Sequence, residues 1–419
     1  MVNQSIHHHI FDNGLVLLAE PMSWLESAAF ALLVPAGCNY DPDEHLGLAN
    51  LVCEMVQRGC GSRDSRQFIN DLELLGADTS ASVSNAHTSF GGAMPADSLM
   101  QALAIHADVV RRPLLPEDQF EDAQLVCLQE VRSLEDDLPQ RVFHQLRQLR
   151  YGDPYGRKTC GEFAGVQTAT ASDVRSFFHE TYRPNGAILS VAGNFAWPEL
   201  QAAVERLFGD WQPRQAAMAV PVPSVETCRQ VTVDSSQTHI GIGYASVPYA
   251  HTDYFQARGA VGVLSDGMSS RLFTEVRENR GLAYAVFASC HSLPDRGSVL
   301  CYAGTSTDRA QETLDVLLAE LIKLADGIRE DELARLKAKI KSGLVMQQES
   351  SSSRSTSIAA DWYHLGRVRT MDELVGILDG LSCDSINRYL AEHPPSDFTI
   401  ATLGVKPLEI PFGIPSAQA

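Results

Sequence analysis

Few residues of this chain stand at spacings that perform chemistry by themselves. His7, His8 and His9 put three imidazoles in a row, a set that suggests a metal tract. They sit in a stretch that reads as a strand, where neighbours point to opposite faces, so all three cannot converge on one ion. A solvent-edge strand is the expected reading. Nine cysteines (Cys38, Cys53, Cys60, Cys127, Cys160, Cys228, Cys290, Cys301, Cys383) are odd in number and never form a CxxC pair, which argues against a zinc knuckle or a disulfide framework. Reduced, mostly buried thiols are expected. Arg277 and Tyr284 lie seven residues apart. An arginine can donate to two peptide carbonyls or a carboxylate, and a tyrosine hydroxyl can stabilise a developing oxyanion. A structural arginine facing a core tyrosine fits the same spacing.

The elements that must hold these groups are legible in outline. GLVLLAEP and SAAFALLVPAG read as strands, HLGLANLVCEMVQRG as a helix, ADTSASVSNAHTSFGGAMP as alternating strands and DSLMQALAIHADVVRR as a helix. Later, RQVTVDSS and THIGIGYASVP read as strands, and DYFQARGAVGVLSD and SRLFTEVRENR as helices. AYAVFASCHS with GSVLCYAGTS reads as a hairpin, and RAQETLDVLLAELIKLADG as a long amphipathic helix. SLEDDLPQR is expected as an acidic loop after a helix, and ESSSSRSTS as a polar connection or helix entry.

Between the two series, PRQAAMAVPVPSVE carries three prolines and no periodic pattern, and reads as a linker. A shift of 205 residues lays Phe68 on Phe273, Gly76 on Gly281 and the pair Ser65, Arg66 on Ser270, Arg271, an internal repeat. The expected domains are therefore 1–212 and 227–419, joined by 213–226. The fold class is α+β, with two homologous domains, each a mixed, mainly antiparallel sheet covered by helices on one face.

With 419 residues the chain is long enough for two cores. Thirty-three basic against 52 acidic residues give a net charge of −19, which repels nucleic acid and anionic lipid surfaces. No apolar run approaches the roughly 18 residues of a membrane span. The start, MVNQSIHHHIFDNG, has neither a basic nor an apolar signal region. A cytoplasmic location, with no nucleic acid or membrane partner, is the expectation.

Four ordered stretches carry a family resemblance over nearly the whole chain: GLANLVCEMVQRG, FEDAQLVCLQEVRSLEDDLPQRVF, YRPNGAILSVAGNF and, most specific, DGMSSRLFTEVRENRGLAYAV at 266–286. The sequence resembles the insulinase/pitrilysin family of zinc peptidases, which includes the mitochondrial processing peptidases. The resemblance implies an inverted H-x-x-E-H helix, two imidazoles at i and i+4 holding zinc, a glutamate activating the bound water, and a later glutamate as third ligand. This chain departs from it. Asn50 stands in place of the first His, Cys53 in place of the general-base Glu and Glu54 in place of the second His, and only the late glutamate, Glu130, remains.

An amide is a poor zinc ligand, and a thiol cannot replace the carboxylate that relays a proton. No catalytic residue and no metal are expected in this chain alone. Asn50, Glu54 and Glu130 form an all-oxygen set that either holds a hard ion such as Mg²⁺ or Ca²⁺ or hydrogen-bonds internally. Cys53 is expected to be an inert helix residue. The resemblance makes Arg277 and Tyr284 the pair that holds substrate main chain. It also implies glycines where Ser265 and Asp266 sit, while Arg271 is expected to be structural.

In two-subunit relatives one chain supplies zinc and its partner the arginine and tyrosine. The chain is similar to that second, noncatalytic subunit of a heterodimeric zinc metalloendopeptidase. Its implied partners are a catalytic family member carrying H-x-x-E-H, with zinc in that subunit, and an unstructured peptide substrate. Two other readings stay open: a peptide-binding or scaffold protein with no catalytic role, and a hydrolase using a non-zinc metal at Asn50, Glu54 and Glu130.

Overall fold

A computed structural model of the protein describes residues 4–411, so the first three residues of the start read above lie outside it. The chain divides into two compact units. The first comprises Met1–Ser133, Arg157–Val220 and Val345–Thr370, and the second comprises Leu134–Gly156, Pro221–Leu344 and Met371–Ala419. The contiguous domains expected at 1–212 and 227–419 differ from this division because each unit takes a helical segment from the other half of the sequence. The boundary between Val220 and Pro221 falls inside the 213–226 stretch, which holds no helix and only one isolated bridge, Asp153 to Val222.

The first unit is built on six strands, β1 (His7–Ile10), β2 (Val16–Pro21), β3 (Ser27–Val34), β4 (Asp78–Val83), β5 (Thr88–Pro95) and β6 (Ile188–Gly193), in the order β1-β2-β6-β3-β5-β4. Only β2 and β6 pair in parallel, as a connection of more than 150 residues permits. Alternation sorts the side chains. Leu17, Ala19, Phe30, Leu32 and Leu189 enter the main core beneath the helices Leu48–Val56 and Leu99–Arg111, whereas Val16, Leu18 and Ile188 face Ile358 and Ala359. Those last two belong to the helix Ser351–Leu365. Both faces of the sheet are thus covered, where one was expected.

ESSSSRSTS accordingly opens a packed helix rather than a connection. Ser350 caps it by accepting from the Ser353 N–H at 3.2 Å. Arg354 is 1% exposed and pairs with Glu20 at 2.7 Å, and Ser190 Oγ donates to the Ser355 carbonyl at 2.7 Å. These bonds make a serine-rich sequence compatible with a buried position.

The second unit repeats the plan with β7 (Cys228–Thr232), β8 (Gln237–Ser246), β9 (Ala283–Ser292), β10 (Gly297–Ser306) and β11 (Thr399–Gly404), in the order β7-β11-β8-β10-β9. Again only the pair β7 and β11 is parallel. Strand for strand this is the first sheet without its β1 edge, so the internal repeat is a repeat of topology. Gly76 (φ +62°) and Gly281 (φ +58°) occupy the same left-handed turn conformation in both copies, which a glycine adopts without strain.

One face of this sheet carries Ile240, Ile242, Val299 and Cys301 into the main core, and the other sets Leu300, Tyr302, Ala401 and Leu403 against Val142, Leu146 and Leu149. The latter come from the helix Leu138–Tyr151. SLEDDLPQR is therefore not a loop. Its first four residues close the helix Phe120–Asp136, Asp137 caps the next helix by accepting from the Gln140 N–H at 3.1 Å, and Pro139 sits in the first turn, where its missing N–H costs nothing.

Candidate functional site

The helix Leu48–Val56 begins where Gly47 turns at φ +107°. The buried Asp41 carboxylate accepts from the Gly47 and Ala49 N–H groups, both at 2.7 Å, and so satisfies helix-start donors from outside the helix. Burial outweighs these bonds and pushes the Asp41 carboxyl up to about 7. Leu48, Leu51, Val52, Met55 and Val56 bury the inner face. Asn50 and Glu54, one turn apart, share another face.

Opposite them the helix Phe120–Asp136 presents Cys127 and Glu130, three residues apart. Asn50 Nδ2 donates to Glu130 Oε2 at 2.6 Å and to Cys127 Sγ at 3.6 Å. Glu54 Oε1 accepts from Arg58 Nη2 at 2.9 Å. Cys53, 4% exposed, has its thiol pushed up to about 12 by burial and then by the charges of Glu54 and Glu130. Burial, Glu130 and Glu54 push Cys127 up as well.

The structure thus brings Asn50 and Glu130 together, with Cys53 and Glu54 close by. Two participants escaped the sequence reading, Cys127 and Arg58, although Cys127 lies three residues before Glu130 and Arg58 four after Glu54, both helical spacings. The donor chemistry does not fit the zinc of H-x-x-E-H. The group nearest Glu130 is an amide N–H donor and Glu54 is held by a guanidinium, whereas zinc needs ligands that turn a free lone pair toward it.

Arg277 and Tyr284 meet in the second unit. Residues Phe273–Glu278 form a π-helical turn rather than the plain α-helix expected of SRLFTEVRENR, with the Asn279 N–H bonded to the Thr274 carbonyl at 2.8 Å. Arg277 Cζ stands 4.8 Å from the ring centroids of both Phe273 and Tyr284, and its Nη1 donates to the Tyr284 carbonyl at 3.2 Å. The cation is held between two aromatic rings. Tyr284 is 84% exposed on β9, an edge strand, so it is not a core tyrosine.

Nearby departures are absorbed locally. Ser265 Oγ accepts from the Ala288 N–H at 2.7 Å, and Asp266 pairs with Lys339 at 3.3 Å. Arg271 donates to both oxygens of Glu332 at 2.8 Å and to the Gly327 carbonyl at 2.8 Å, a structural clamp.

The three neighbouring histidines diverge on the β1 edge. His7 stacks on Trp197, His8 lies against Trp362 and His9 against Phe11. Among the described residues no helix is long and apolar enough to cross a membrane.

Comparison with known proteins agrees with this architecture. Residues 19–162 match the family model described as Insulinase (Peptidase family M16), and residues 168–340 match the Peptidase M16 inactive domain. A protein of Rickettsia felis is 26% identical over 89% of this chain and 91% of its own length. One of Bacillus subtilis is 25% identical over 95% and 98%. Both are named uncharacterized zinc proteases.

Among solved structures, a peptidase M16 inactive domain from Pseudomonas fluorescens superposes with a TM-score of 0.88 at 18% identity, covering 97% of this chain and 99% of that one. A protease from Helicobacter pylori gives 0.86 at 20% identity, covering 96% and 99%. The two matched models follow one another along the repeat described above, and the chain belongs to the insulinase family, as a homologue of its zinc peptidases.

Proposed function

We propose that the chain is the noncatalytic, substrate-binding subunit of a heterodimeric zinc metalloendopeptidase acting on unstructured peptides in the cytoplasm. One observation carries the reading: the Asn50 amide donates to Glu130 and Arg58 engages Glu54, so the groups left at the family's metal position satisfy one another. Water activation then falls to a partner carrying H-x-x-E-H and its zinc. The contribution of this chain is Arg277 on the π-helical turn and Tyr284 on the exposed β9 edge, a guanidinium and a phenol that suit the main chain of an extended peptide. A reducing location suits nine free cysteines.

The engagement of the Arg277 guanidinium with the Tyr284 carbonyl favours a second reading, a peptide-binding scaffold in which the pair is structural. The test is co-expression with a relative from the same genome that retains H-x-x-E-H, followed by peptide cleavage assays. Activity that requires both chains and falls roughly 100-fold with Arg277→Ala supports the first reading. Unchanged cleavage with Arg277→Ala supports the scaffold, and chelator-sensitive turnover by this chain alone overturns both.

A further inference from the structure

In the second unit two helix ends meet around three side chains that play no part in the site above. The helix Tyr254–Ser265 starts after Asp253, and the helix Cys383–Glu392 ends at Glu392 with His393 as its C-terminal cap residue. One ligand atom from each of Asp253, Glu392 and His393 lies within 4.8 Å of the other two.

Three observations separate this group from ordinary surface acids. Asp253 occupies an N-cap position, where a carboxylate normally accepts from the helix N–H groups, and it makes no such bond. Asp253 and Glu392 are held side by side, yet among the described residues no lysine or arginine is ion-paired with either. Their basic neighbours are imidazoles. His393 is one, and the His251 ring stands 6.2 Å from it at 87°, with Nδ1 3.8 Å from Asp253 Oδ2.

Two carboxylate oxygens and one imidazole nitrogen are a borderline donor set. They suit a divalent ion of the zinc type better than Mg²⁺ or Ca²⁺, which favour oxygen alone. The site lies between the carbonyl end of the helix Cys383–Glu392, whose dipole favours a cation, and the amino end of the helix Tyr254–Ser265, whose dipole opposes one, so the preference for a cation rests on the side chains themselves. The Asp253 N–H donates to His251 Nδ1 at 3.1 Å, which leaves the ring proton on Nε2. The His251 nitrogen nearest the Asp253 carboxylate is thereby already engaged as an acceptor and is not itself a ligand in this tautomer.

We propose that Asp253, Glu392 and His393 bind one divalent transition-metal ion, with water completing the coordination, and that the ion ties the start of one helix to the end of another. The site owes nothing to Asn50, Glu54 or Glu130, and its failure would leave the subunit reading untouched.

The experiment uses the full chain, stripped with chelator and dialysed, then titrated with Zn²⁺ by calorimetry and with Co²⁺ by visible absorption. The expected result is one saturable equivalent, a Co²⁺ ligand-field band and a Zn²⁺-dependent rise in Tm. Affinity should fall at least about tenfold in Asp253→Asn and in His393→Gln, with His393→Ala as a second variant in case one fails to fold, and stay unchanged in Glu130→Gln. Absence of saturable binding, binding retained in both the Asp253 and His393 variants, or binding lost in Glu130→Gln overturns the proposal.

Discussion

Asn50 satisfies two acceptors with one amide nitrogen, the Glu130 carboxylate and the Cys127 sulfur. That bond holds the two helices at a point where a metal ligand would have to leave a lone pair free. The thiols around it follow the same logic. Because Cys53 is pushed up to about 12, it and Cys127 should resist iodoacetamide at pH 8 in the native protein and label fully in denaturant, read by mass spectrometry.

His106 offers a pH test. Burial pushes it down from 6.5 to about 4, so between those values the unfolded chain binds a proton that the folded chain refuses. Its contribution is complete above about pH 6.5 and is lost as pH falls toward 4, by up to about 1.4 kcal/mol per pH unit. Asp41, raised by burial to about 7, acts with the opposite sign: its folded form favours the proton, so its contribution declines as pH rises from about 4 to 7. Asp41 is common to wild type and His106→Leu, so the difference between their denaturation curves across that range isolates the imidazole. A pH-independent difference would contradict the assignment.

At the scale of elements, the strongest single dependence is the helix Ser351–Leu365 on its buried ion pair. Replacing Arg354 by Ala strands Glu20, 4% exposed, without its partner and should cost about 3–5 kcal/mol in urea unfolding. Replacing Glu20 by Gln as well should recover part of that loss, because the remaining buried group is then neutral.

This helix also marks where sequence reasoning stops. Strands with period-two burial and helices with apolar stripes were legible, because local pattern determines them. A serine-rich run with one arginine carries no such stripe, and its buried position depends on Glu20 and Ser190, more than 160 residues away in sequence. Pro139 misled for a local reason: proline breaks a helix interior but is compatible with the first turn. The altered motif at 50–54 was readable from residue types, yet the Arg58 clasp and the Cys127 contact depend on two helices facing each other. The cluster of Asp253 with Glu392 and His393 joins positions about 140 apart, so no spacing rule could reveal it.

For the whole molecule, the exchanged segments matter most. The sheet of the first unit needs residues 345–370 to cover Val16, Leu18 and Ile188, and that of the second needs residues 134–156 to cover Leu300, Tyr302 and Leu403. Fragments 1–220 and 221–419 made separately each leave such a face bare. Both should bind a hydrophobic dye and aggregate, while co-expression restores a soluble complex. A monomeric, cooperatively folding 1–220 would refute the dependence.

The same arrangement constrains synthesis. A nascent chain emerging at roughly 5–20 residues per second exposes the first sheet's back face for roughly 8–34 seconds between the emergence of Ile188 and that of Ile358. Folding of the amino-terminal half during synthesis should therefore wait for residues 345–370, and the yield of native protein is expected to vary with elongation rate, as pulse-chase protection from protease would read.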